Sequence, residues 1–465
     1  MLFSGIPFLC YFLPCTLLLY LIVPRRLKNA ALLAASLVFY AWGEPVYIAL
    51  MAVSITQGYV FGRLTERYRG KRRAKLFAAA SVTLSLAALG YFKYANFFVS
   101  SFASATGLPV KLLNIALPVG ISFYTFQLIS YIIDISRGEV KAQRNFIDLA
   151  LYIAMFPQLI AGPIVRYSDI EPQLRGRTHS LEKTALGARR FVLGLAKKIL
   201  IANQLGELCS AFKASKELSV TFFWIYAAAN MLQIYFDFSG YSDMAIGLGR
   251  IFGFDFPENF NYPYISASIT EFWRRWHMTL GSWFRDYVYI PLGGNRVSTP
   301  RWLLNLMIVW MLTGLWHGAA WNFVLWGLYF GVLLILEKLL IKRDGRFAAL
   351  RHIYVLFLVL ISFVIFDAAS LPDIAFSLRS MFGLGGLPAV SSETLYCLRS
   401  YAVILAVAAI GATPLARNAF AALRRRTVTG RIVDILEPVA LAALTLVCVA
   451  YLVDGSFNPF LYFRF

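Results

Sequence analysis

Residues 29–62 read NAALLAASLVFYAWGEPVYIALMAVSITQGYVFG, an apolar run of 34 residues broken once, at Gly43-Glu44-Pro45. As a single helix rising 1.5 Å per residue, the run would be about 51 Å long. A bilayer's hydrocarbon core is only ~30 Å thick. The Gly-Glu-Pro break removes the excess by turning the run into a hairpin of two spans. A chain made of such runs is an all-α polytopic integral membrane protein, and the pattern recurs in both directions. Toward the N-terminus, Leu2 to Val23 is apolar and interrupted by Pro7 and Pro14. It has no basic leader or small-residue cleavage site and reads as a span, not a signal peptide. Toward the C-terminus, candidate spans occupy 74–92, 112–133, 191–210, 220–248, 302–316, 319–337, 352–370, 397–416 and 434–453. The expectation is 10 to 12 transmembrane helices.

Composition points the same way. Of 465 residues, 59% are apolar and 15% charged, whereas soluble domains carry about a quarter charged residues. That argues against a soluble multidomain enzyme. The net charge of +20 raises the question of a nucleic-acid partner. The basic residues, however, cluster between apolar runs, as they do in cytoplasmic loops of membrane proteins. The reading is a lipid bilayer and no nucleic acid. Loops 24–28, 62–75, 134–147, 164–190, 338–351 and 417–431 are rich in Lys and Arg, while 93–111, 211–219 and 371–396 are poor. This orientation puts the N-terminus outside. Residues 148–163 carry Pro157, Gly162 and Pro163 and suggest a re-entrant or broken segment, tolerable where protein buries the freed backbone. Residues 251–300, rich in aromatics, Arg and Pro, suggest an interfacial stretch. No repeat or hydrophilic domain intervenes, and 1–465 reads as one membrane-embedded domain. The five cysteines include no C-x-x-C and suit neither a disulfide framework nor a zinc site.

Four histidines occur. His179, in a polar loop, and His352, beside Arg351, read as solvated or interfacial. His317 stands in GLWHGAAW (314–321) between apolar helices, and an ionisable residue at membrane depth is a functional candidate by default. Its neighbours Gly314, Gly318, Ala319 and Ala320 would leave space beside the ring for a helix or a substrate. His277 lies in TEFWRRWHMTL (270–280). At helical spacing, Trp273, Trp276, His277 and Leu280 share one face, with Arg274 and Arg275 elsewhere. The Arg pair could grip a phosphate or anionic lipid headgroups. Asp237 and Asp243, flanking Ser239, lie six residues apart in or near an apolar span. They do not face each other on a regular helix. A break at Gly240 would bring them together for acid/base work, but pairing with nearby Arg is the stronger reading. A metal held by His277 and His317 lacks a third ligand at recognisable spacing, so no metal is expected. A transporter without chemistry would show inverted repeats, and none is visible.

These stretches also carry a resemblance. YFDFSGYSDMAIGLG (235–249), PENFNYPYISASITEFWRRWHMTLGSWFRDYVYIPLGGNR (257–296) and GLWHGAAWNFVLWG (314–327) resemble the membrane-bound O-acyltransferase family. Within it they are similar to the bacterial branch that includes the integral-membrane subunit of alginate O-acetylation. LGYFKYANF (89–97), LPVGISFYTFQLISYIIDISRG (117–138), FPQLIAGPIVRY (156–167) and FNPFLYFRF (457–465) extend the likeness over nearly the whole chain. The resemblance implies a ring of tilted helices around a thinned centre, pierced by a central tunnel. It implies His317, of the W-H-G-A motif beside Trp316, as the catalytic residue and His277 as its second position. A neutral imidazole, with an ordinary pKa near about 6.5, can take the proton of a hydroxyl attacking a thioester. His277 could orient the acyl carbonyl or stabilise its oxyanion. The implied activity is O-acetyl transfer in a bacterial cytoplasmic (inner) membrane, with no bound cofactor and acetyl-CoA as donor on the cytoplasmic side. The acceptor would be a cell-surface polysaccharide, reached through a separate extracytoplasmic acyltransferase partner. The rival within the family is D-alanyl transfer from an acyl-carrier protein to teichoic acid.

Overall fold

The computed structural model describes residues 1–340, 348–425 and 427–454, and those residues form helices and connecting turns with no strand. The terminal FNPFLYFRF and part of the 338–351 loop lie outside the described residues. The Gly43-Glu44-Pro45 break falls where expected, between helices Lys28–Gly43 and Ile48–Arg67. Five described helices are long and apolar enough to cross a bilayer: Arg72–Thr106, Trp321–Leu340, Ala349–Asp367, Ser392–Gly411 and Thr427–Val453. The larger sequence-based number counts apolar runs that form helices either shorter than a span or loaded with polar groups. Val220–Ile251, for instance, buries Asn230, Gln233, Asp237 and Ser242 against protein. The protein is a multi-pass, all-helical membrane protein.

The chain separates into two compact units, residues 1–190 with 244–257 and residues 191–243 with 258–465. In the first, Ile48–Arg67, Arg72–Leu89 and Ile121–Arg137 pack on one another, and Lys28–Gly43 packs on Phe146–Ala154. Residues 148–163 are broken, as their prolines require: Phe146–Ala154 ends at Met155, and Pro157 opens the short helix Phe156–Leu159. From Leu149 to Ile164 the segment is buried by protein. Two expectations are corrected here. The 93–111 loop is helical to Thr106, because Gly90–Tyr94 widens into a π turn and does not stop the helix. The span placed at 112–133 begins only at Ile121, after an irregular stretch that ends at Pro118 and Gly120. His179 is exposed, and its Nε2 lies 2.8 Å from the Tyr20 hydroxyl. Desolvation and the cations Lys28 and Arg177 hold its pKa below the ordinary histidine value.

In the second unit, Thr299–His317 and Trp321–Leu340 form a hairpin whose backbones touch. A Cβ on Gly314 would collide with the Phe323 carbonyl, and one on Gly327 with the Trp310 carbonyl. The space beside the W-H-G-A motif is therefore filled by the partner helix: a Cβ on Gly318 would meet the Phe323 ring. Ser392–Gly411 and Thr427–Val453 expose Val403, Ile410, Val439 and Leu446, the apolar surface a lipid-facing helix presents. Residues 258–300 fold as short helices joined by irregular backbone, with Phe272, Trp276, His277, Leu280 and Trp283 buried. Their aromatic side chains serve the protein interior more than a headgroup belt.

Candidate active site

His277 does not sit on the continuous helix that the spacing suggested. Helix Ile269–Arg275 stops, Trp276 is extended, His277 adopts φ 43° and ψ 53°, and a new helix runs Met278–Phe284. The interruption has a cause. The segment around Asn259 intercepts the backbone: Asn261 N–H donates to the Arg275 carbonyl, and Met278 N–H donates to the Asn259 carbonyl, each at 2.9 Å. Two helical hydrogen bonds are thereby replaced by bonds to another strand of chain. A left-handed conformation at a non-glycine residue costs of order 1–3 kcal/mol, and such strain concentrates at functional sites. The result is a His277 side chain that is 0% exposed.

Its ring is held by polar and aromatic contacts. Nδ1 lies 3.0 Å from Asn259 Oδ1, which also accepts from the Thr279 hydroxyl at 2.8 Å. Asn259 Nδ2 donates to Ser242 Oγ at 3.0 Å. Phe238 meets the imidazole edge-on at 4.7 Å between centroids. Nε2 makes no hydrogen bond among the described residues.

His317 comes from a different element. It is the last residue of Thr299–His317, a helix ended by extended Gly318. It is buried at 5% exposure, with Trp326 at 4.9 Å and Phe366 at 5.4 Å, both edge-on. Its ring centroid is 6.5 Å from that of His277, 40 positions away in sequence. Trp316 borders both, 5.7 Å from His277 and 5.1 Å from His317. Two imidazoles and an indole thus meet inside an aromatic shell.

A model of the membrane-bound O-acyltransferase family matches residues 136–371, which include both histidines. The protein designated "probable alginate O-acetylase AlgI" of Pseudomonas putida is 41% identical over 486 aligned residues, covering 100% of both chains. Its namesake in Azotobacter vinelandii is 45% identical over 83% of this chain and 79% of its own. The peptidoglycan O-acetyltransferase of Helicobacter pylori is 33% identical over 83% of this chain and 81% of its own. The chain belongs to the membrane-bound O-acyltransferase family. A more distant likeness, 31% over 49% of this chain and 61% of the other, is to the teichoic acid D-alanyltransferase of Bacillus subtilis. As a member of the family the chain is an acyltransferase.

The remaining candidate residues of this O-acyltransferase divide into those near the histidines and those apart from them. Trp273 packs on Trp310 at 4.5 Å and on Trp326 at 5.6 Å, one ring removed from His317. Trp276 packs on Phe260 at 5.1 Å and Phe363 at 5.4 Å, and Phe260 in turn faces His277. Asp237 and Asp243 do not come together. Val220–Ile251 runs unbroken through Gly240, whose missing Cβ admits the Gly194 carbonyl of a neighbouring helix. Each carboxylate pairs with a lysine: Asp237 with Lys198 at 2.5 Å and Asp243 with Lys197 at 2.7 Å. Both lysines open the π turn Lys197–Ala202. Ser239 is buried on the same helix, and its hydroxyl has no hydrogen-bond partner among the described residues.

Arg274 and Arg275 part company, as consecutive helical residues must. Arg275 Nε bonds Glu271 at 2.9 Å and Nη1 donates to the Asn261 carbonyl at 3.1 Å. Arg274 lines a cavity of about 650 Å³ together with Lys338, Arg351, Tyr289, Trp302 and Tyr354. Glu337, also at its wall, is occupied by the start of helix Ile269–Arg275, accepting from Ile269 N–H at 2.5 Å and Thr270 Oγ1 at 2.6 Å. His352, half-buried, places Nδ1 3.0 Å from the Ser266 carbonyl. Asn259, Thr279, Trp326 and Glu337 were not singled out from sequence. Their roles depend on pairings between distant segments, which no spacing rule reveals.

Proposed function

We propose that the chain is an O-acetyltransferase that takes acetyl from cytosolic acetyl-CoA and passes it across a bacterial cytoplasmic membrane to an exported acceptor, for O-acetylation of a cell-surface polysaccharide. The observation that carries this reading is the buried His277–His317 pair, with 6.5 Å between ring centroids. In the reaction the acceptor's hydroxyl oxygen attacks the thioester carbonyl carbon, and the hydroxyl proton passes to His317. The C–S bond then breaks and the thiolate of CoA takes up a proton, giving an acetyl ester and free CoA. A general base held to the reacting hydroxyl contributes ~10²–10⁴-fold in rate. His277 Nε2 and the Trp326 indole N–H, both buried and without hydrogen-bond partners among the described residues, are polar atoms a reacting group would satisfy.

The donor's phosphates would meet Arg274, Lys338 and Arg351 in the 650 Å³ cavity, on the side that the basic loops place in the cytoplasm. The full-length likeness to alginate O-acetylase relatives supports acetyl over D-alanyl, whose relative aligns with half of this chain. Transfer to a finished polysaccharide would run through a separate extracytoplasmic acyltransferase. The test is release of CoA thiol from acetyl-CoA by the purified full-length protein in a bilayer, with the His317→Ala variant alongside. Turnover that falls at least about 100-fold in the variant supports the reading. Equal turnover in both rejects it.

A further inference from the structure

Resting on that reading, we infer that Asn259 is the positioning residue of the site: it fixes the His277 ring with its proton on Nδ1, so that Nε2 presents a lone pair and His277 acts as a hydrogen-bond acceptor. The buried network fits this arrangement. Asn259 is 1% exposed, His277 0%, Ser242 2% and Thr279 5%, so water does not compete for these bonds. Asn259 Oδ1 faces two groups, His277 Nδ1 at 3.0 Å and Thr279 Oγ1 at 2.8 Å, and an amide oxygen with two lone pairs accepts from both. Its Nδ2 faces Ser242 Oγ at 3.0 Å. Ser242 Oγ accepts from Nδ2–H. The main chain of Asn259 adds a further hold by accepting from Met278 N–H at 2.9 Å, next to the left-handed turn at His277. One residue thus sets the backbone and the ring of a histidine 18 positions away.

The consequence concerns roles. Which ring nitrogen carries the proton is set by the bond the other makes. With Nδ1–H committed to Asn259, neutral His277 has no proton to give an oxyanion, and its Nε2 must face a donor. A donor in this site is the acceptor's hydroxyl or the imidazole of His317. Turning the Asn259 amide over would place the proton on Nε2 instead and make His277 a donor, so the two arrangements assign opposite roles. His317 ends the helix Thr299–His317, and on Val220–Ile251 Asp237 pairs with Lys198 and Asp243 with Lys197.

Asn259→Asp separates the two, because a carboxylate accepts only and enforces Nδ1–H. In the purified full-length protein, acetyl-CoA turnover would be followed from acid to alkaline pH, with Asn259→Leu and Thr279→Val beside it. The expected result for Asn259→Asp is retained activity whose acid limb in kcat/KM moves to higher pH by about one unit or more, since an adjacent carboxylate stabilises imidazolium. Asn259→Leu should lower kcat by about 10–100-fold with KM for acetyl-CoA within about twofold, the signature of a misplaced reacting group. Thr279→Val, which keeps shape and removes one donor to Oδ1, should lower kcat severalfold and serves if the Asn259 variants do not fold. An Asn259→Asp protein that is inactive at every pH with its Tm unchanged would overturn the inference, as would Asn259→Leu or Thr279→Val with wild-type kcat and pH profile. Absence of acetyl-CoA turnover in the wild-type protein would instead count against the proposed function itself.

Discussion

His277 and His317 reach one place by different local devices. His317 is delivered by the end of a regular helix, and His277 by a left-handed residue between two seven-residue helices. Position 277 should therefore be sensitive to backbone preference as well as side-chain chemistry. Asn tolerates the left-handed region better than most residues and keeps hydrogen-bonding atoms. His277→Asn should accordingly lose less activity and less Tm than His277→Ala, and β-branched His277→Val should have the lowest Tm of the three. Measuring Tm and turnover together checks this, and a Val variant as stable as Asn would argue against a strained turn. Both histidines were legible in the sequence because an imidazole in an apolar stretch is conspicuous. The turn at 277 was not. TEFWRRWHMTL has unbroken helical periodicity, and the backbone bonds from Asn259 and Asn261 that end the helix come from a separate segment.

At the level of elements, three arrangements carry consequences. The hairpin Thr299–His317 and Trp321–Leu340 depends on backbone contact at Gly314 and Gly327. Adding a methyl to either forces the helices apart, and overpacking of this kind costs about 1–3 kcal/mol. Gly314→Ala and Gly327→Ala should each lower Tm by several degrees, and Gly314→Ala should also cut turnover because it displaces the helix that ends in His317. The Lys198–Asp237 pair is buried, with side chains 4% and 1% exposed. Lys198→Met would remove this cation from a buried carboxylate and should cost about 3–5 kcal/mol, with Lys198→Met/Asp237→Leu recovering much of it. A thermal-stability cycle on the four proteins reads this directly. Arg274 and Arg275 should separate functionally. Arg274→Gln should raise KM for acetyl-CoA severalfold with kcat nearly unchanged, whereas Arg275→Gln, which loses the Glu271 and Asn261 ties, should lower Tm. The Glu44 hairpin and the broken 148–163 segment could be read in advance because proline and glycine mark them. The π turns at 90–94 and 197–202 could not, since ALGYFKYANF and KKILIA contain no breaker that distinguishes a widened turn from a stop.

Over the whole molecule, composition and charge clustering sufficed to recognise a polytopic helical membrane protein, because lipid leaves the backbone so few alternatives. Counting its spans was harder. Several helices that read as spans bury polar residues against protein, and others are shorter than a bilayer crossing. The acyltransferase family was visible in the same blocks that supply the histidines, since the long aromatic motifs and the site are one piece of chain. We propose that the buried pair of histidines catalyses acetyl transfer from acetyl-CoA. The most direct measurement is CoA thiol release from acetyl-CoA by the purified protein in a bilayer, wild type against His317→Ala, with Tm recorded for both. The expected result is turnover in the wild type, a loss of at least about 100-fold in the variant, and nearly equal Tm. A folded His317→Ala protein that turns over acetyl-CoA at the wild-type rate would contradict it.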